Sequence, residues 1–265
     1  MNSVLKDIRK DPRTATSSLD VRLGANRDFS SIDFQEWLQH RLNVGGGMDV
    51  LDVGCGTGAQ SIEFVRRVGP NGSVCALDIS ADSVERLRSL GHADALQAEV
   101  SDMMELESLL AKRFRQKTFD LAQSTYALYY AKDPIHVLEV MRRSLKQDGR
   151  LAVCVPNNPH GLLEFIKKFA PVPEAAEASG RFGPDVLEPY FRKNFDEVDI
   201  HLLRNMQTVP DAESLLKFWR NTSYFDRNVE SAVLGEVQRR IETSGSFKYA
   251  KNSFLIIGAR PTLAG

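Results

Sequence analysis

The sequence has no excess charge of either sign: 34 Lys and Arg stand against 35 Asp and Glu in 265 residues, a formal net charge of −1. Proteins that bind nucleic acid through their surface concentrate Lys and Arg on one face, so composition argues against a nucleic-acid partner. The basic residues Lys6, Arg9, Lys10 and Arg13 are interrupted by Asp7 and Asp11 and read as a solvated, mobile terminus. Cysteine is scarce, with Cys55, Cys75 and Cys154 forming no C-x-x-C and pairing with no suitably spaced histidine, which leaves no disulfide framework and no metal site to expect. Three small, buried thiols suit a reducing cytoplasm. No apolar run reaches the ~18 residues of a membrane helix. The opening Met-Asn-Ser-Val-Leu-Lys-Asp-Ile-Arg-Lys carries acids and no apolar stretch, unlike a signal peptide. Repeats and low-complexity tracts are also missing. What remains, 42% hydrophobic and 26% charged, is the composition of a soluble globular chain with a full core.

Against that background, residues 50–58 stand out: Val-Leu-Asp-Val-Gly-Cys-Gly-Thr-Gly. Val50, Leu51 and Val53 suit a strand covered on both faces. Gly54, Gly56 and Gly58 follow at alternate positions, permitting a tight turn and close approach of a ligand to bare backbone. A helix beginning after such a turn aims its free N–H groups at whatever is bound. A second apolar run, Val74-Cys75-Ala76-Leu77, ends in Asp78, 24 positions after Gly54. An acid about 20 residues beyond the glycines reaches a ribose, and its two oxygens can accept from both vicinal hydroxyls. Ser80, rather than Asp78, fits the cap of the helix expected over Ala81–Leu90. The spacing Gly54-x-Gly56-x-x-Ala59 also satisfies the looser dinucleotide fingerprint, so a nicotinamide-dependent oxidoreductase stands as one alternative.

These residues resemble the class I S-adenosylmethionine-dependent methyltransferases, whose first motif reads acidic-x-Gly-x-Gly-x-Gly. Asp52, Gly54, Gly56 and Gly58 match it position by position. Asp52 helps to separate the two cofactors, because a carboxylate beside the turn repels a pyrophosphate but attracts the sulfonium and ammonium of S-adenosylmethionine, directly or through water. A role restricted to capping the loop is the other reading of Asp52. The stretch Ala98-Glu99-Val100-Ser101-Asp102-Met103 resembles the family's adenine-binding segment, which makes Glu99 the adenine acid and Val100 the backbone donor; Asp102 is a rival, or the cap of a helix beginning near Met103. Phe119–Tyr130 resembles the fourth strand and the loop between cofactor and acceptor. Arg143-Ser144-Leu145-Lys146-Gln147-Asp148-Gly149 is similar to the family's R-x-L-K-P-G-G, departing at Gln147 and Asp148. The resemblance implies S-adenosyl-L-methionine as cofactor and Asp52, Gly54, Cys55, Gly56, Gly58, Asp78, Ile79, Glu99, Val100 and Ser124 as its binding residues.

Alternating strand and helix patterns run from Met48 to Val155, which implies right-handed crossovers and a parallel sheet. Strands are expected near 49–53, 73–77, 94–98, 119–123 and 150–155, with two more near 196–203 and 252–259. Helical segments are expected near 159–170, 184–193, 211–221 and 226–243. By family resemblance the fold is α/β, a Rossmann-like, seven-stranded, mostly parallel sheet of order 3-2-1-4-5-7-6. Residues 1–44 are expected to form an N-terminal helical cap or lid, in which Ser30-x-x-Asp33 reads as a capping box before Phe34, Trp37, Leu38 and Leu42. Residues 45–265 form the methyltransferase domain, with helical acceptor-side additions over 157–246.

Methyl transfer from a sulfonium needs positioning more than proton chemistry, and a base only where the acceptor's proton has a pKa well above ambient pH. No catalytic residue is assigned; Tyr126, Tyr129, Tyr130 and His160 are weak candidates, with Arg22 as a further group to orient the acceptor. His136 projects away from its helix's core positions and reads as solvated. Asn157 and Asn158 lack the adjacent acid of metal-dependent catechol methyltransferases, so no metal is expected. The loop after Gln123, Ser124-Thr125-Tyr126-Ala127, lacks the Asp/Asn-Pro-Pro-aromatic motif of amino-methylating DNA enzymes. The expected partner is therefore a small-molecule methyl acceptor, with oxygen as the accepting atom and the protein a monomer or homodimer. A non-catalytic S-adenosylmethionine-binding protein is the remaining alternative.

Overall fold

The computed structural model describes residues 16–91, 94–115 and 117–262. The basic residues Lys6, Arg9, Lys10 and Arg13 lie outside them. In chain order the helices are α1 (Thr16–Phe29), α2 (Phe34–Leu42), α3 (Ala59–Val68), α4 (Ala81–Ser89), α5 (Leu106–Lys112), α6 (Pro134–Arg143), α7 (Gly161–Ile166), α8 (Glu174–Ser179), α9 (Glu188–Asn194), α10 (Ala212–Trp219) and α11 (Glu230–Ser244). The strands are β1 (Asp49–Val53), β2 (Ser73–Asp78), β3 (Leu96–Val100), β4 (Phe119–Thr125), β5 (Leu145–His160), β6 (Phe195–Leu203), β7 (Met206–Val209) and β8 (Phe247–Pro261). No helix among the described residues is long and apolar enough to cross a membrane.

The strands form one mixed sheet of order β3-β2-β1-β4-β5-β8-β6, with β7 paired to β8 off this path. The expected order is kept, but an extra short strand raises the count among the described residues to eight and makes the last strand β8. Four residues, Met-Gln-Thr-Val, are too few for alternation to register as a strand. β5 and β8 also extend beyond their expected limits, because backbone pairing continues where side chains no longer alternate.

Two compact units divide the chain. The sheet unit comprises 38–155, 183–201 and 254–262, and the helical unit comprises 16–37, 156–182 and 202–253. In the sheet unit, β1 lies between β2 and β4 with parallel register Val50↔Val74 and Asp52↔Gln123. Val50, Leu51, Asp52 and Val53 are all buried, as the continuous apolar run requires. The edge strand β3 instead alternates buried Leu96 and Ala98 with exposed or half-buried neighbours. Local capping sets where the crossover helices begin. Ser80 Oγ accepts the Ser83 N–H at 3.3 Å to start α4, and Asp133 Oδ1 accepts the His136 N–H at 3.0 Å to start α6 behind Pro134.

The helical unit has its own core. Leu162, Phe165 and Ile166 of α7 meet Leu215, Phe218 and Trp219 of α10, Val233 and Val237 of α11, and Val209, Phe247 and Tyr249 of the β7–β8 pair. Asp211 caps α10 by accepting the Ser214 N–H at 2.7 Å. The expected Ser30 capping box is corrected here: Asp33 Oδ1 accepts the Glu36 N–H at 3.0 Å, while Ser30 Oγ donates to the Ile32 carbonyl and accepts from Asn205. Asp33 lies directly before the helix and reaches its N3 amide first. α1 falls within the expected helical cap, but periodicity gives it no bounds, because its few apolar residues form no stripe.

Candidate active site

The glycine turn is built where β1 ends. The Gly54 and Cys55 N–H groups donate to the Leu77 carbonyl at 2.8 and 3.0 Å, tying the turn to β2. Gly54 has φ +76°, and a Cβ there would collide with Ala127 of the loop after β4, so only glycine lets the two strand ends approach this closely. Gly58 has φ +84°, and a Cβ would stand 2.5 Å from Leu87 Cδ1. α3 follows with no side-chain cap, leaving its first N–H groups to the turn.

Asp78 faces the turn. Its Oδ2 accepts the Gly56 N–H at 2.8 Å and its Oδ1 accepts the Ser80 N–H at 2.9 Å. Each oxygen keeps a further lone pair, and the two backbone bonds hold the carboxylate in one orientation. Beside it, Ile79 is 61% and Val100 47% exposed, at the ends of neighbouring strands. Two exposed apolar side chains flanking a fixed acid form a platform suited to a purine above a ribose.

Asp52 lies elsewhere than the sequence suggests. It is fully buried beneath the turn, where Ser61 Oγ donates to Oδ2 at 2.5 Å and Gln123 Nε2 donates to Oδ1. Thr125 Oγ1 donates in turn to Gln123 Oε1 at 2.8 Å. Burial pushes the Asp52 pKa up to about 7, outweighing the hydrogen bonds from Ser61 and Gln123, and the nearby Asp78 charge adds to the rise. Asp52 thus presents no exposed oxygen with which to contact a ligand directly. Sequence reasoning missed Gln123, Thr125 and Ser61; the one available signal is a glutamine in the apolar strand Leu121-Ala122-Gln123.

Glu99 pairs with Arg88 at 3.2 Å and Arg113 at 3.3 Å. It is the register partner of Leu77, while Val100 partners Asp78, so strand alternation sets the Glu99 side chain on the other face from Asp78. Asp102 Oδ1 accepts the Met104 N–H at 3.0 Å, a capping role. Burial raises the Cys55 thiol well above its ordinary value, which makes it a packing group of the turn. Ser124 is buried with no partner for its Oγ. Tyr126 adopts φ +55° and donates its N–H to the Cys154 carbonyl at 2.8 Å. Positive φ at a bulky residue marks a conformation imposed by its surroundings. Tyr129 and Tyr130 pack at 4.4 Å between ring centroids. All three tyrosines are half-buried at the C-terminal end of β4, in the same unit as the turn.

His160 and Arg22 belong to the helical unit. His160 Nδ1 accepts the Leu163 N–H at 3.3 Å, capping α7. Burial, aided by the Lys251 charge, pushes the imidazole pKa down to about 4, so the ring is neutral at ambient pH and carries its proton on Nε2. That is a donor and a poor base. Arg22 Nε donates to the Ser18 carbonyl at 3.3 Å.

The family model described as a methyltransferase domain matches residues 45–186, more than half of the chain and all of the turn. The chain belongs to the class I methyltransferase family. A demethylmenaquinone methyltransferase of Geobacillus sp. (strain WCH70) is 24% identical over 205 residues, covering 77% of this methyltransferase and 82% of the relative. A demethylmenaquinone methyltransferase of Listeria welshimeri is 30% identical over 184 residues, covering 69% and 72%. Among solved structures, phosphoethanolamine N-methyltransferase 2 of Haemonchus contortus, in complex with S-adenosyl-L-methionine, superposes with a TM-score of 0.58 at 14% identity, covering 97% of this chain and 60% of that one. At that identity the likeness is one of fold.

Proposed function

We propose that this methyltransferase binds S-adenosyl-L-methionine on the Gly54–Gly58 turn and passes its methyl group to an oxygen of a small molecule. The observation that carries the reading is Asp78, held by two backbone N–H groups with lone pairs left for vicinal hydroxyls. Ile79 and Val100 flank the adenine, and the Val100 N–H serves its ring edge. Glu99, engaged by two arginines, contributes there only by releasing them. Asp52 supports the preference for a cation: a positive charge above the turn lowers its raised pKa, and the ionised form then attracts that charge in return. A pyrophosphate in the same place would meet both Asp52 and Asp78.

The bound cofactor supplies an electrophilic methyl group and a leaving sulfur that departs neutral. This chain's residues contribute alignment and exclusion of water, through the turn and the half-buried Tyr126, Tyr129 and Tyr130. His160 is too weakly basic to take a proton from an aliphatic alcohol. An acceptor whose own hydroxyl is acidic removes that need, which favours a phenolic or enolic oxygen. The relatives named for demethylmenaquinone support a small-molecule acceptor. A cytoplasmic setting, in keeping with three free buried cysteines, belongs to the same reading.

Calorimetric titration of S-adenosyl-L-methionine, S-adenosylhomocysteine and a nicotinamide dinucleotide tests the cofactor. Binding of the dinucleotide alone overturns the reading. Incubating a metabolite extract with isotopically labelled methyl donor and following the label by mass spectrometry identifies the acceptor; a label on carbon or nitrogen would refute the oxygen assignment.

A further inference from the structure

In the helical unit, α11 gives way to β8 through Gly245 and Ser246 alone, and the corner between them is hollow. Gly245 makes the turn: its φ is +78°, and its N–H closes the helix by donating to the Ile241 carbonyl at 2.7 Å. Arg240 and Ser244, four apart, share one face of the helix, while Ser246 and Lys248, two apart, share one side of the chain that enters β8. Phe247, between them, belongs to the apolar core and backs the hollow with its ring. These five residues line a cavity of about 280 Å³. Pockets that enclose a drug-sized ligand run from ~300 to ~1,000 Å³, so this one suits a small group.

Two cations and two hydroxyls face this space, and no acid lines it. Arg240 is fixed in advance. Its Nε donates to Glu236 Oε1 at 2.8 Å, and its guanidinium carbon lies 4.9 Å from the centre of the Phe165 ring and 5.7 Å from that of Phe247. One ion pair and two rings thus set the plane of the fork, while Nη1 and Nη2 donate to no group among the described residues. Lys248 Nζ and the Ser244 and Ser246 hydroxyls have no partner among them either. Between residues 236 and 248, Arg239, Arg240 and Lys248 stand against Glu236 and Glu242. Glu236 is shared by both arginines and Glu242 accepts from Gln238, so neither acid answers Lys248. The corner therefore keeps positive charge and unspent donors together.

We propose that this corner of α11 and β8 binds the phosphate group of a phosphate monoester. Such a group brings close to two negative charges and three acceptor oxygens. The fixed fork of Arg240 matches two of those oxygens with parallel N–H donors, and Lys248 with the two serine hydroxyls serves the third. A carboxylate has only two oxygens, which the fork alone would occupy, leaving Lys248 and the serines idle. Soluble metabolites and lipid headgroups both carry this chemistry. The site lies within the helical unit alone, so it does not depend on the methyl-transfer reading.

The soluble probe is glycerol 3-phosphate, titrated calorimetrically into the full chain at low salt with acetate as the contrast. The lipid probe is a vesicle of phosphatidic acid in phosphatidylcholine, sedimented beside vesicles of phosphatidylcholine alone. Wild type is expected to bind glycerol 3-phosphate at least about fivefold more tightly than acetate, and Arg240→Lys and Lys248→Gln each to lose about fivefold. Arg240→Lys keeps the charge and removes the fork. Lys248 is exposed, so its variant keeps the fold and decides the matter even if the Arg240 variant does not. Binding of the soluble ester without sedimentation assigns the site to metabolites, whereas sedimentation with phosphatidic acid that Lys248→Gln abolishes assigns it to a headgroup. Acetate bound as tightly as the ester, no binding of either phosphate probe, or undiminished affinity in the folded Lys248→Gln chain would overturn the proposal.

Discussion

Asp52 in the sheet unit and the Gln207–Tyr249 pair in the helical unit are buried polar groups treated in opposite ways. Beneath the glycine turn, Asp52 is fully enclosed but both its oxygens are served, by Ser61 and Gln123. On the β7–β8 face, Gln207 and Tyr249 are nearly as enclosed and are not served. The first arrangement is complete in itself and stiffens a cradle whose ligand approaches from outside. The second leaves the Gln207 amide and the Tyr249 hydroxyl without a hydrogen-bond partner in the chain. The titratable groups differ too, for burial raises a carboxylate in one unit and lowers an imidazole in the other.

Four perturbations sharpen this contrast. The largest is Gly54→Val, which forces a β-branched residue to positive φ against Ala127; strain and overpacking together are expected to cost about 3–5 kcal/mol, read by urea unfolding, and to abolish cofactor binding. Unfolding at the wild-type midpoint would mean that the turn tolerates a side chain. Next is Asp52→Asn. The folded pKa of Asp52 is raised from 3.8 to about 7, so its stability contribution is fully present below about pH 4 and lost as pH rises to about 7. The variant should match wild type near pH 4 and exceed it above pH 7 by about 4 kcal/mol. A stability difference that does not change with pH would show that Asp52 is ionised throughout.

Asp78→Ala should weaken S-adenosyl-L-methionine at least tenfold in calorimetry, about 1.4 kcal/mol, while circular dichroism shows the fold intact. Undiminished affinity would remove Asp78 from the site. The smallest effect is that of His160→Asn, which keeps a capping acceptor for α7. The folded pKa of His160 is lowered from 6.5 to about 4, so its contribution is present above about pH 6.5 and lost as pH falls toward 4. The variant should lose less stability at pH 6, by about 1 kcal/mol. The Asp52 and His160 slopes oppose each other between pH 4 and 6.5, so wild type should look flat there and each single variant should tilt. A tilt of the same sign in both variants would contradict the two assignments.

The sheet unit was the more legible of the two in sequence. Val50–Gly58 and Val74–Asp78 declare strand, turn and acid by local pattern, because a strand buried on both faces must be apolar throughout and a left-handed turn must be glycine. The departures occur where several stretches of chain meet. The motif position puts Glu99 beside the adenine, and the structure adds its ion pairs with Arg88 on α4 and Arg113 after α5, which the motif does not reveal. Ser30 satisfied a spacing rule for capping, while Asp33, one residue from the helix, reached the amide first. β7 is too short to alternate visibly, and so the pairing of Gln207 with Tyr249, 42 positions apart, left no trace in either segment.

By itself the sequence determined the parallel core, the crossover helices and the glycine turn with its facing acid, since each depends on periodicity and backbone freedom within a few neighbouring residues. Only the tertiary structure decided that Asp52 is a buried, Ser61- and Gln123-bonded group and that Gln207 and Tyr249 share an unsatisfied face. Burial and hydrogen-bond partnership are properties of what distant segments bring to a side chain, and local sequence does not contain them.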